Sequence, residues 1–332
     1  MKKVNLCLWA EQLARKNNFE IGEMIYENKS MLPNRIRNVI YDGKYKGKSA
    51  VLKVYDDPWV TDEPVALELF NENNKSKLLT APELYKYKAE TPKMGWFIME
   101  KLSEGDFLSP PLTIKEKKDF VEIYIEYRNN FPVKPERNLN FTESLPADEY
   151  HVLRLNRWLQ VASDIEESGA MNGDIECFDR KEVLDMYRQG LEVVRKEFFK
   201  RKMVYCHGHL RPQEIYKYSK SRKFAIINFA HAKMYPEGYD IAFIIGEDYI
   251  FSADWKEGYE YWKKGVFSWI EEFQKAAGIL KIRNYKSLIK ASLTERILGI
   301  IFTEVYTISG AREEKCKRME LMKKLFYEIQ KL

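Results

Sequence analysis

One stretch restricts what this chain can fold into more than any other. Residues 203 to 230 begin Met203-Val-Tyr-Cys-His207-Gly208-His209-Leu210-Arg211-Pro212-Gln-Glu214-Ile215-Tyr and end Phe224-Ala-Ile-Ile-Asn228-Phe229-Ala230. Two apolar, strand-like runs flank a polar loop. The loop opens His-Gly and carries polar side chains at fixed offsets, so whatever chemistry the chain has is expected there.

Length sets the frame around that stretch. At 332 residues the chain can bury a large core, and two lobes are expected. A charged content of 32% beside 45% hydrophobic residues is that of a globular protein. The net charge of +5 is mild and dispersed, which argues against a nucleic-acid partner. Cys7, Cys177, Cys206 and Cys316 are scattered without a CxxC pair, so a disulfide framework is not expected and a reducing cytoplasm is the simplest setting. The opening Met1-Lys-Lys is followed by an apolar run that Asn5 interrupts, unlike a secretory signal. The longest apolar stretches, 239–251 and 297–308, are broken by Asp, Glu and Thr, so no membrane span is expected.

In chain order, 4–17 has helical spacing of Leu6, Trp9 and Leu13. Strands are expected at 19–26, 35–41 and 49–55, with Asp42-Gly43 as the tight turn before the third. Thr61-Asp-Glu63-Pro64 starts a helix running to about residue 78. Strands four and five follow at 82–88 and 95–101, and Ser103-Glu-Gly105-Asp breaks the chain into halves. The second half is mostly helical, with helices expected at 114–129, 147–167, 180–200, 255–277, 285–309 and 313–331. Residues 130–146 are expected to form a loop.

The central stretch resembles the catalytic core of the aminoglycoside phosphotransferase and choline kinase families, distant relatives of protein kinases. Those families read His-Gly-Asp-Leu-x-Pro-x-Asn-Ile, then a short hairpin, then Ile-Asp-Phe or Ile-Asp-Trp. His207, Gly208, Leu210, Pro212 and Ile215 fall in that frame. The resemblance implies an α+β, two-lobed protein kinase-like fold. Residues 1–102 would form an N-terminal lobe, a five-stranded antiparallel sheet with one packed helix. Residues 103–332 would form a helical lobe bearing the catalytic-loop hairpin.

Three positions depart from the pattern. His209 stands where the family has its catalytic Asp, Glu214 where it has a metal-binding Asn, and Asn228 where it has a second metal-binding Asp. A histidine is bulkier than a carboxylate and is partly charged near neutral pH, with an unperturbed pKa near ~6.5. The other two exchanges leave one carboxylate and one amide, so oxygen ligands for Mg²⁺ remain on offer.

Further roles follow from the resemblance. Lys53, mid-strand in Val-Leu-Lys-Val, would hold nucleotide phosphates, or else is an outward-facing strand lysine. Glu63 would pair with it, with Glu68 as the alternative; both also suit the negative end-charge preference of a helix start. Glu100, in Phe97-Ile-Met99-Glu100-Lys101-Leu, falls at the hinge where backbone groups bind adenine. The phosphate-cradling loop, 27–34, has no glycine, which counts against ordinary ATP binding. His207, Gly208 and Asp240 match positions that shape the loop, and Asp240 also suits a helix N-cap. His207, His209 and His231 with Cys206 offer a rival zinc reading. Trp158, Trp255, Tyr261, Trp262 and Trp269 are either core or acceptor-pocket residues.

The sequence thus suggests a kinase-fold protein with a degenerate site, acting by binding to a small-molecule or protein partner. The alternative is an active ATP- and Mg²⁺-dependent phosphotransferase using His209, Glu214 and Asn228. A structural role, as in spore-coat relatives of this fold, is a third class.

Overall fold

A computed structural model describes residues 5–29, 36–130, 145–167, 179–250, 254–306 and 312–332. The described residues fall into two compact units. One is drawn from Met1–Leu108, Asn129–Leu139 and Glu214–Ala232, the other from Ser109–Arg128, Asn140–Gln213 and Lys233–Leu332.

The first unit is built on a five-stranded antiparallel sheet. Its strands are β1 (Phe19–Lys29), β2 (Ile36–Tyr45), β3 (Lys48–Asp56), β5 (Leu84–Thr91) and β6 (Met94–Glu100), in the order β1-β2-β3-β6-β5. Alternation along each strand sends successive side chains to opposite faces. One face carries Val39, Leu52, Val54, Trp96 and Ile98, which pack against Leu6, Ala10, Leu13 and Ala14 of helix α1 (Leu6–Lys16). Asn5 caps that helix by accepting from the backbone N–H groups of Cys7 and Leu8. The other face carries Tyr55 and Phe97, which cluster with Val60 and Ala230.

Two expectations fail in this unit. Asp42-Gly43 is not a turn: both residues lie inside β2, opposite Val51 and Ala50. The turn is Lys46-Gly47, where both residues have positive φ, 51° and 78°. Gly43 serves close strand approach instead, since a Cβ there would sit 2.1 Å from the Glu20 carbonyl oxygen. Helix α2 (Glu63–Asn73) stops short of residue 78 because Asn74 leaves helical conformation and its amide turns to the Leu79 carbonyl at 2.8 Å.

A second sheet in the same unit has the order β4-β10-β9-β7, from β4 (Leu79–Thr80), β7 (Gly105–Phe107), β9 (Ile215–Tyr218) and β10 (Phe224–Ile226). β9 and β10 are the antiparallel hairpin expected after the polar loop.

The second unit is mainly helical. It contains α3 (Ile114–Asn130), α4 (Ala147–Glu167), α5 (Arg180–Phe198), α6 (Tyr239–Ile245), α7 (Tyr259–Ala276), α8 (Tyr285–Tyr306) and α9 (Arg312–Ile329), with a two-stranded ribbon of β8 (Met203–Cys206) and β11 (Lys233–Pro236). Trp262 and Trp269 are fully buried, and Trp269 meets the Phe120 ring edge-on at 5.7 Å. They are core rather than pocket residues. Trp255 sits in a short 3₁₀ turn before α7, while Tyr261 is exposed. Helix α6 was not anticipated as a separate element. It continues into a π-helical turn at Gly246–Ile250 that turns Glu247 and Asp248 toward other helices.

The cysteine expectation is also corrected. Cys7 and Cys206 are free, but Cys316 is disulfide-bonded, which scattered spacing alone does not reveal. Cys177, residues 131–144 of the loop expected at 130–146 and residues 30–34 of the phosphate-cradling loop expected at 27–34 lie outside the described residues. Among the described residues no helix is long and apolar enough to cross a membrane.

Candidate functional site

In the first unit, four of the singled-out side chains form two contacting pairs, Lys53 with Glu63 and Glu214 with Asn228. Lys53 lies mid-β3, between Ile40 of β2 and Phe97 of β6. Its Nζ donates to Glu63 Oε2 at 2.6 Å and lies 5.6 Å from the Phe97 ring centre. The two side chains are only 8% and 3% exposed. Pro64 fixes the first turn of α2, where Glu63 is the first residue. Glu68, the alternative partner, instead accepts from the Tyr87 hydroxyl at 3.2 Å. Burial pushes the Glu63 carboxyl above its ordinary range; Lys53 opposes this and nearby Glu214 adds to it.

The β9–β10 hairpin brings Glu214 and Asn228 together. Ile215 pairs with Ile226, and the Ile227 N–H closes on the Glu214 carbonyl at 3.1 Å, so the residues flanking the hairpin become neighbours. Asn228 Nδ2 then donates to Glu214 Oε1 at 2.9 Å. Asn228 has φ 64° and ψ 57°, a left-handed conformation that Asn tolerates better than most residues. The 3₁₀ turn after it, Phe229–His231, sets the Phe229 ring 5.4 Å from Phe70 of α2 and His231 5.7 Å from Trp59.

Mg²⁺, which the resemblance implies, does not fit this arrangement. The ion needs oxygen atoms converging on it in near-octahedral geometry. Here the amide turns an N–H donor, not its oxygen, toward the only carboxylate of the pair. Among the described residues no group of three or more His, Cys, Asp and Glu side chains is placed to hold a metal, which also leaves the zinc reading without a site.

The Glu100 side chain works inside the sheet, accepting from the Glu83 N–H at 3.1 Å. Its neighbour Lys101 pairs with Asp42 at 2.7 Å, and Asp42 also accepts from the Glu23 N–H at 2.8 Å. This clamp across β1, β2 and the residue after β6 was not legible in the sequence, because nothing marks residues 59 apart as partners.

In the second unit, His207, Gly208, His209 and Asp240 occupy one loop and the helix beside it. Gly208 has φ 73°, and its N–H donates to Asp240 Oδ1 at 3.3 Å. Gly238 at φ 90°, not Asp240, is the N-cap of α6, which frees Asp240 to hold the loop. Burial raises the Asp240 carboxyl above its ordinary range, against Arg128, Cys206 and the Gly208 N–H. His207 is wholly buried, its ring edge-on to Tyr127 at 6.2 Å. His209 is half-buried, its ring 4.9 Å from Phe243.

Helix α8 holds a network the sequence did not disclose. Both Arg154 Nη1 to Glu295 contacts are 2.8 Å, and His151 Nδ1 lies 3.7 Å from the same carboxylate. Burial alone would raise the Glu295 carboxyl, but Arg154, His151 and Arg296 together bring it down to about 2.

Sequence comparison gives no match, either to models of known families or to curated proteins. Solved structures do match in fold. A spectinomycin phosphotransferase in complex with ADP and spectinomycin aligns over 100% of both chains with a TM-score of 0.59 and 10% identity. An ethanolamine kinase of Plasmodium vivax aligns over 99% of this chain and 98% of its own, with a TM-score of 0.55 and 14% identity. A choline kinase of Streptococcus pneumoniae aligns over 97% and 98%, with a TM-score of 0.52 and 12% identity. The chain therefore has the kinase-like fold of aminoglycoside phosphotransferases and choline kinases, with an antiparallel sheet in its N-terminal region and helices in its C-terminal part.

Proposed function

We propose that this chain is a degenerate kinase-fold protein, a pseudokinase, that acts by binding a partner and does not transfer phosphate. The observation that carries the reading is His209. The resemblance assigns this position to the carboxylate that accepts the acceptor's hydroxyl proton, and here it holds an imidazole packed on Phe243 at 4.9 Å. A carboxylate is an acceptor at every lone pair near neutral pH; an imidazole has at most one acceptor nitrogen, and none when protonated. The test is transfer of labelled phosphate from ATP with Mg²⁺ to hydroxyl acceptors, including choline, ethanolamine and spectinomycin. No labelled product is expected. Product formation that His209→Ala abolishes would overturn the reading.

A second reading, an active ATP-dependent phosphotransferase, is favoured by one observation, the buried Lys53–Glu63 pair. That pair is what a nucleotide's phosphates would meet, and His209 would then orient the acceptor. A cytoplasmic setting belongs to the proposal as well.

A further inference from the structure

We infer that Asn228 takes the place of a divalent cation at Glu214, so that this part of the fold is complete without metal. The inference rests on the reading that residues 214 and 228 occupy the family's metal-ligand positions, and it goes beyond the loss of phosphoryl transfer.

Three observations carry it. The Glu214 carboxylate is 4% exposed, and a buried carboxylate needs a partner that offsets lost hydration. The Asn228 amide supplies a hydrogen bond of ordinary length, 2.9 Å, from within the same hairpin. The backbone fixes that geometry: the Ile227 N–H to Glu214 carbonyl bond and the left-handed Asn228 hold the two side chains side by side.

The exchange of residue types is reciprocal in consequence. An aspartate at 228 would set a second carboxylate beside Glu214, near the buried Glu63 that Glu214 already perturbs. Two carboxylates at such a distance cannot both ionise without a cation between them. An asparagine there removes the repulsion and contributes a donor. The neutral amide thus does for Glu214 what a bound ion does in a metal-dependent site, with none of the dependence on ion concentration.

The test uses the full chain without nucleotide. Thermal midpoints are measured in EDTA and across a series of Mg²⁺ and Mn²⁺ concentrations, and Mn²⁺ binding is read directly by electron paramagnetic resonance. The wild type is expected to show the same midpoint throughout and no bound Mn²⁺. Asn228→Asp is expected to lower the midpoint in EDTA and to recover it as Mg²⁺ or Mn²⁺ saturates. Should that variant fail to fold without metal, the double change Glu214→Asn with Asn228→Asp restores one carboxylate and one amide in the family's order. It is expected to bind Mn²⁺ where the wild type does not.

A saturable rise of the wild-type midpoint with either ion, lost in Glu214→Gln, overturns the inference. So does a folded Asn228→Asp, or a folded double variant, that remains blind to both ions. Metal binding without phosphoryl transfer would sink this inference alone. Transfer from ATP would sink the proposed function whatever the ion measurements give.

Discussion

Lys53 of β3 and Glu63 of α2 form a buried ion pair, Nζ to Oε2 2.6 Å, on the sheet face away from α1. The mid-strand lysine is held in place by burial, by the Phe97 ring and by a helix whose first residue is its partner. Removing either member leaves the other charge buried alone. Lys53→Met or Glu63→Leu is therefore expected to destabilise the protein by about 3–5 kcal/mol, while the double change costs much less. Denaturant midpoints of the two single variants and the double variant measure this. Additive losses would mean the pair is not coupled.

Acid stability is expected to depend on Glu295. Its folded pKa of about 2 lies below the ordinary 4.5, so the unfolded chain binds its proton first. The stabilisation is present above about pH 4.5 and is lost as pH falls toward 2. Its size is about 3 kcal/mol from the shift in pKa. In Glu295→Gln that acid-dependent loss disappears from the stability profile. An unchanged pH profile would show that Arg154 and His151 do not hold this carboxylate as described.

The β1–β2–β3 meander makes opposite predictions for two glycines. Gly43→Ala puts a Cβ against the Glu20 carbonyl and the Phe19 ring, and is expected to cost about 1–3 kcal/mol, read as a lower thermal midpoint. Gly47 has open space around it, so Gly47→Asn, which tolerates positive φ, is expected to be close to neutral. Equal losses at both sites would contradict the placement of the turn.

His209→Asp alone is not expected to restore phosphoryl transfer. It returns the acceptor carboxylate but leaves Asn228 donating to Glu214. The check is ADP release in the presence of Mg²⁺ and a hydroxyl acceptor. Turnover in this single variant would mean that the imidazole was the one defect.

The sheet, the hairpin and most helices of the second unit were legible in the sequence because their signals are local. Helical spacing, Pro64 in a first turn and the apolar runs around the central loop each report on neighbours a few residues away. The register of β2 was not legible: Asp42-Gly43 read as the turn, and only the fit of β2 against β1 and β3 carries the strand on to a turn at Lys46-Gly47. Among candidate partners of Lys53, Glu63 and Glu68 share one helix, and the choice depends on which helix face meets β3. The Asn228–Glu214 bond depended on an orientation no sequence states: whether the amide offers its oxygen or its N–H. The Glu295 network joins α4 to α8, and its members are 141 residues apart.

The most direct test is thermal unfolding with ATP or ADP, each with Mg²⁺, Mn²⁺ or EDTA. A ligand that binds only the native state raises the midpoint by mass action, by about 2.7 kcal/mol of stability at a hundredfold excess over Kd. Any shift a nucleotide produces is expected to be the same in EDTA as in Mg²⁺ or Mn²⁺. A rise that requires the divalent ion and vanishes in Lys53→Ala would contradict it, and would mark the site as that of a working phosphotransferase.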